Sequence, residues 1–256
     1  MSIKGFVHSF NTGAAADGPG VRFALFLTGC PFRCLYCHNP DTWKLHDGSE
    51  TDSDHILAEI SKYAGFLRIA GGLTITGGEP LAQPDFTHEI FSRAKSEFKL
   101  HTALDTQGFL AGNLSDEWFD CVDLVLLDIK EMDPQTHLKL TGKPLQPTLD
   151  FAERLARLGK PVWLRYVLVP GLTDSDKDLQ ALADFIQPLK NIERVDVLPF
   201  HNMAIHKWDD LKIPYTLRDT PSPTPEQVAH AQNILKLNRS TPATTPTETF
   251  PHKKGD

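Results

Sequence analysis

The feature that most limits the fold is an alternation along the chain. Short, nearly continuous apolar runs recur between segments whose apolar residues fall three and four apart, the spacing of one helix face. The runs "VRFALFLTG", "LTITGGEP", "LHTALDTQG", "DLVLLDIK", "PVWLRYVLVPG" and "VDVLPFH" predict strands over 21–28, 73–76, 100–105, 124–128, 162–169 and 195–199. Helices are predicted over 53–67, with Ser53 as a cap, over 84–98, over 149–159, closed by Gly159, over 175–186, and near 225–237. Strands buried on both faces and separated by helices imply a parallel sheet covered by helices. Six strands are two short of a closed barrel of about eight. A six-stranded partial barrel and an open doubly wound sheet both fit.

Composition narrows the partners. Over 256 residues the net charge is -7, which argues against a nucleic-acid surface. No apolar run approaches the ~20 residues that span a bilayer, so no membrane partner is expected. The start, "MSIKGFVHSF", lacks a basic segment followed by an apolar one, so no export signal is read and a cytoplasmic location is expected. One core domain over 1–237 is expected. The segment 238–256 is rich in Thr and Pro with almost no apolar residues, and is expected to be a disordered tail.

In a reducing compartment clustered cysteines mean metal or redox chemistry rather than disulfides. The chain has four cysteines, and Cys30, Cys34 and Cys37 stand together in "GCPFRCLYCHNPDTW" as C-x3-C-x2-C. Three unrelated buried thiols would not fall so close by chance. A structural zinc would need His38 as fourth ligand, yet neighbours such as Cys37 and His38 rarely point at one tetrahedral centre. "CLYCH" matches a haem-attachment string, but that chemistry belongs to exported proteins. The remaining reading is a 4Fe-4S cluster on three thiolates, with one iron left open for a ligand. Cys121 has no partner and reads as a small buried residue.

The unusual polar residues all fall at carboxyl ends of predicted strands: Cys30, then Gly77, Gly78 and Glu79, then Asp105 and Thr106, then Asp128 to Lys130, then His201. That is the ligand face of parallel α/β architectures. Strand alternation puts Asp128 and Lys130 on one side. Arg165, a charge inside an apolar strand, calls for a partner.

C-x3-C-x2-C is the signature of the radical S-adenosylmethionine (SAM) superfamily, and "HSF", "DGPGVRF" and "GCPFRCLYCHNPDTW" together resemble its glycyl-radical-enzyme activating enzymes. The resemblance runs from about Gly5 to the final helix. It implies the partial (β/α)6 barrel of that superfamily, with Cys30, Cys34 and Cys37 holding the cluster. Tyr36, Cys37 and His38 would lie at the adenine of SAM, Gly78 and Glu79 at its amino group, Asp128, Ile129 and Lys130 against SAM with Lys130 at its carboxylate, and His201 near its nucleoside; Arg165 is a further candidate contact. Asp105, Thr106 and Asp128 would bind a monovalent cation. The implied chemistry is one-electron cleavage of SAM to a 5′-deoxyadenosyl radical, which takes hydrogen from a glycine Cα of a partner protein. No cysteine lies between Cys37 and Gly77, as in the short members whose protein substrate is pyruvate formate-lyase. A flavodoxin or ferredoxin would supply the electron, and a monomer is expected.

Overall fold

The computed structural model describes residues 2–237; the expected tail, 238–256, lies outside them. Eight strands form one sheet: β1 (Lys4–Ala14), β2 (Val21–Leu27), β3 (Ser49–Asp52), β4 (Gly71–Gly77), β5 (Thr102–Thr106), β6 (Leu124–Asp128), β7 (Val162–Leu168) and β8 (Ile192–Pro199). Their order is β3-β1-β2-β4-β5-β6-β7-β8. From β2 to β8 all neighbours are parallel, and these six are the strands expected from the sequence. The helices are α1 (Ser53–Ser61), α2 (Ala64–Ala70), α3 (Pro84–Phe98), α4 (Pro134–Thr141), α5 (Gln146–Arg157), α6 (Asp176–Ile186), α7 (Ile205–Asp210) and α8 (Pro225–Ile234). Among the described residues no helix is long and apolar enough to cross a membrane.

Two strands had no signature in the pattern. β1 is mostly exposed and polar, and β3 is four residues with none buried; both pair antiparallel, β1 with β2 and β3 with β1. The helix expected over 53–67 is broken at Lys62 and Tyr63, which lets both Ile60 and Leu67 reach the core. Ser53 is not its cap. Asp52 holds that position, and the Ser53 hydroxyl accepts from Ile3 N at 3.1 Å instead. Gly159 does close α5: it adopts φ +64°, and Lys160 N donates back to Leu155 O at 3.0 Å, the arrangement a left-handed glycine permits.

Alternation divides each central strand between two environments. On β7, Val162, Leu164, Tyr166 and Leu168 pack outward into the main core under the helices, while Trp163, Arg165 and Val167 face inward. Inside the curl, Ala103, Leu124, Leu126 and Trp163 form an apolar plug. Phe26 of β2 and Leu198 of β8 line the same cavity, so the sheet curls far enough to bring its first and last parallel strands together.

Candidate active site

After β2 the chain enters the loop that carries the three thiols. Gly29 N donates to Thr42 O at 2.8 Å and Cys30 N to Trp43 O at 3.0 Å. On its other side, Arg33 N donates to Thr141 O at 2.8 Å and Leu35 N to Leu140 O at 3.0 Å. The Trp208 indole on α7 donates to Cys37 O at 2.9 Å. The "HSF" segment adds a further tether: His8 Nε2 lies 3.0 Å from Asp41 Oδ2, and Lys207 Nζ bonds both Asp41 and Asn39. The loop is therefore fixed by β1, α4 and α7 before any ligand arrives.

The thiols open on a cavity of about 290 Å³ at the carboxyl ends of the parallel strands. Its wall includes Cys30, Cys34, Tyr36, Cys37, His38, Gly78, Asp105, Thr106, Asp128, Lys130 and Arg165, all singled out from the sequence. Both signs of charge are present. Arg165 donates to Asp105 and, through Nε at 3.1 Å, to Asp128, while Lys130 Nζ lies 2.9 Å from Asp128. Thr76 donates to the other Asp105 oxygen at 2.6 Å. Despite its burial, Arg165 has its pKa pushed up, because two carboxylates face it. Burial pushes the Cys30 thiol up to about 12 and raises Cys34 and Cys37 as well, so ligation of iron must displace protons from all three.

The donor set fits an iron–sulfur cluster with one open iron. Three soft sulfur donors share one wall, and Cys121 is elsewhere, its thiol donating to Trp118 O at 3.4 Å within the core. The cavity also fits a polar ligand, since Tyr36 Oη and Gln107 Oε1 are buried without a hydrogen-bond partner among the described residues.

Some expected residues are not brought to the cavity. Glu79 is fully buried and turned away: it accepts from Leu81 N at 2.9 Å, Gln107 N at 3.1 Å and the Thr106 hydroxyl at 2.8 Å, so it anchors the site rather than meeting an amino group. Ile129 points to the opposite side from its neighbours, into the apolar core. His201 reaches the site only through His38, the rings 4.3 Å apart and His38 Nε2 3.3 Å from His201 O. Gly78 is needed for a reason other than the one expected: a Cβ there would lie 2.5 Å from Gly29 O, so the missing side chain admits the cysteine loop's own backbone. The oxygens expected to hold a monovalent cation are engaged as well. Arg165 sits between Asp105 and Asp128, and Thr106 donates to Glu79.

Several wall residues escaped the sequence reading, among them Asp17, Thr76 and Gln107. Asp17 of "DGPG" lines the cavity while its carbonyl accepts from Thr74 Oγ1 at 2.6 Å; its pKa is raised by burial and by Asp105. Thr76 and Gln107 stand one or two positions from residues that were chosen, and strand-end position was the signal that could have found them.

A curled parallel sheet with C-x3-C-x2-C on the loop after its first parallel strand defines a radical SAM domain, and the radical SAM superfamily profile matches residues 25–186. The chain is 42% identical over 250 residues to the pyruvate formate-lyase-activating enzyme of Staphylococcus epidermidis, covering 94% of this chain and 99% of that protein. It is 43% identical over 245 residues to that of Listeria monocytogenes, covering 92% and 98%. The chain belongs to the radical SAM family of pyruvate formate-lyase-activating enzymes. Among solved structures, a domain of such an enzyme from Bacteroides vulgatus matches with a TM-score of 0.53 at 26% identity, over 65% of this chain and 93% of that one. A radical SAM methyltransferase from Sphaerobacter thermophilus shares the fold, with a TM-score of 0.62 at 17% identity over 84% and 63%.

Proposed function

We propose that this protein activates pyruvate formate-lyase by generating a glycyl radical on it, through reductive cleavage of SAM at a 4Fe-4S cluster. The observation that carries this reading is the cavity wall of three thiols facing paired opposite charges. When bound, the cluster and SAM supply a single electron and a carbon radical able to take hydrogen from a glycine Cα. The chain supplies position. Cys30, Cys34 and Cys37 would hold the cluster, and the same cavity would take the amino-acid end of SAM. Lys130 and Arg165 receive that end's carboxylate, and Asp128 keeps their ammonium and guanidinium aimed. Tyr36 and His38 flank the adenine, with His201 stacked behind His38. Glu79 acts at one remove, joining the strand ends of β4 and β5. A monovalent cation is left out of the proposal, because Arg165 lies between the carboxylates it would use. The partly exposed Leu198, on the cavity wall, marks where a flexible glycine loop enters. A cytoplasmic monomer using a flavodoxin or ferredoxin completes the reading.

The test is anaerobic incubation of the reconstituted protein with SAM, a reductant and pyruvate formate-lyase, followed by electron paramagnetic resonance. A stable glycyl radical is expected, formed together with 5′-deoxyadenosine and methionine. Loss of the signal on changing the partner's glycine to alanine locates it. SAM cleavage without any protein radical would move the protein to the radical SAM enzymes that act on small molecules.

A further inference from the structure

The reaction consumes one electron per cleavage, and that electron must come from outside the chain. The thiols face the cavity, which SAM and the glycine loop must share, so a carrier approaching from that side would compete with the substrate. Part of the same loop is exposed to solvent. There Arg33 is exposed, and its Nη1 donates to Cys30 O at 2.7 Å and Phe32 O at 2.6 Å, directly behind the first cysteine. The end of α4 runs alongside, joined through Arg33 N to Thr141 O, and Gly142 abuts the Arg33 stem. Lys139 and Lys143 flank that contact, with Leu138 about half exposed beside them at 52%.

Among the described residues none of Arg33, Lys139 and Lys143 is in an ion pair: Arg33 lies over the Trp43 ring at 4.9 Å and Lys143 over the Phe109 ring at 5.8 Å. Lys139 alone would be explained as a cation in the last turn of a helix. Lys143 directly follows Gly142, the C-cap of the same helix, whereas Arg33 is not at a helix end. On a chain of net charge -7, three cations with no ion pair among the described residues and an exposed leucine, gathered beside the thiol loop, form a local face of the opposite sign. We infer that this face docks an acidic one-electron carrier protein, which reduces the cluster through the loop 30–37 while the cavity remains free for SAM and the glycine loop. This rests on the function proposed above. In each turnover the reduced carrier loses one electron as the carbon–sulfur bond of SAM breaks.

The test is the double variant Lys139→Glu/Lys143→Glu in the reconstituted protein, against the control Arg68→Glu/Arg157→Glu, which changes net charge equally on exposed side chains elsewhere. Oxidised flavodoxin and ferredoxin are titrated onto each protein at low and high salt, and SAM cleavage is measured with the reduced carrier and with dithionite. The double variant is expected to lose roughly tenfold or more in carrier affinity and most of its salt dependence. Its dithionite-driven cleavage should equal that of the wild type, and the control should behave as wild type throughout. The inference is overturned if neither carrier binds the wild type, if the double variant binds and is reduced as the wild type is, or if the control loses as much affinity. Absence of dithionite-driven cleavage in the wild type would instead remove the functional reading, with the titrations still deciding the docking face.

Discussion

Two buried arginines sit inside the same curled sheet, one toward each end, and they are solvated in opposite ways. Arg165, at the carboxyl end, lies between Asp105 and Asp128, with Lys130 beside them. Arg22, near the amino end of β2, is fully buried and forms no ion pair among the described residues. It donates to Thr74 Oγ1 at 2.5 Å, Leu73 O at 2.6 Å, Pro19 O at 3.1 Å and His101 O at 3.2 Å. Burial lowers its pKa to about 10, whereas the facing carboxylates raise that of Arg165. Neutral acceptors from the β1–β2 turn, β4 and the approach to β5 make Arg22 a fixed staple. Charges paired with charges can exchange partners when a zwitterionic ligand enters. The closed end is built to stay, and the open end to be rearranged.

The comparison breaks most completely if chemistry does not reside at the carboxyl end. Replacing Cys30, Cys34 or Cys37 by Ala should remove bound iron and all SAM cleavage after anaerobic reconstitution, because a cubane left with two protein ligands is not retained. Cys121→Ser should keep about four irons and full activity, since its thiol donates to Trp118 O within the core. Iron analysis and 5′-deoxyadenosine formation check both, and iron loss in Cys121→Ser with retention in Cys30→Ala would reverse the assignment.

The closed end is tested by stability. Arg22→Met leaves several buried acceptors without donors, at about 1–3 kcal/mol for each left unsatisfied, and should destabilise the fold by about 3–5 kcal/mol overall. Whatever protein folds should still bind iron and SAM normally. A variant of unchanged urea midpoint, or one that folds fully yet loses SAM, would erase the distinction between the two arginines.

The difference between the ends also governs what could be read from the sequence. The six parallel strands announced themselves because strands buried on both faces need unbroken apolar runs, and strand ends then located the thiols and the Asp128–Lys130 pair. β1 and β3 were silent because strands with mostly exposed side chains impose no such pattern. Glu79 and Gly78 were singled out correctly as unusual, but their work is directed at the chain itself, and only the position of the neighbouring backbone reveals that. Asp17 was hidden because a turn folding back against β4 leaves no periodic trace. Arg22 lay within "DGPGVRF" as one charge in an apolar run, and nothing local distinguishes a staple from a ligand.

Glu79 gives a pH test between the extremes. Burial pushes its pKa up to about 7 from 4.5, against the pull of Leu81 N, the Thr106 hydroxyl and Gln107 N. An acid whose folded pKa is raised holds its proton longer in the folded state than in the unfolded one. Its contribution is therefore fully present below about 4.5, declines as pH rises from there, and is lost above about 7. Urea unfolding between pH 5 and 8 should show stability falling by on the order of 2–3 kcal/mol from this group, and Glu79→Gln should flatten that slope. A slope unchanged by the substitution would mean the carboxylate is held ionised by its donors throughout.

Lys130 sharpens the other side of the comparison, because it should matter for the ligand and little for the fold. Its ammonium bonds Asp128 at 2.9 Å and lies 5.7 Å from the centre of the Tyr36 ring. Lys130→Met keeps the apolar stem against that ring and removes only the charge. Asp128 retains Arg165, so no carboxylate is left alone. The cavity, however, then presents two carboxylates to one guanidinium, and the carboxylate of SAM loses a charge-assisted bond worth about 1.5–3 kcal/mol. SAM affinity should fall roughly ten- to a hundredfold, with iron content unchanged and the urea midpoint within the scatter of exposed substitutions. Equilibrium binding of SAM to the reconstituted variant measures it directly. Unchanged affinity would mean that Lys130 serves only to hold Asp128 toward Arg165, making the carboxyl end as fixed a staple as the amino end.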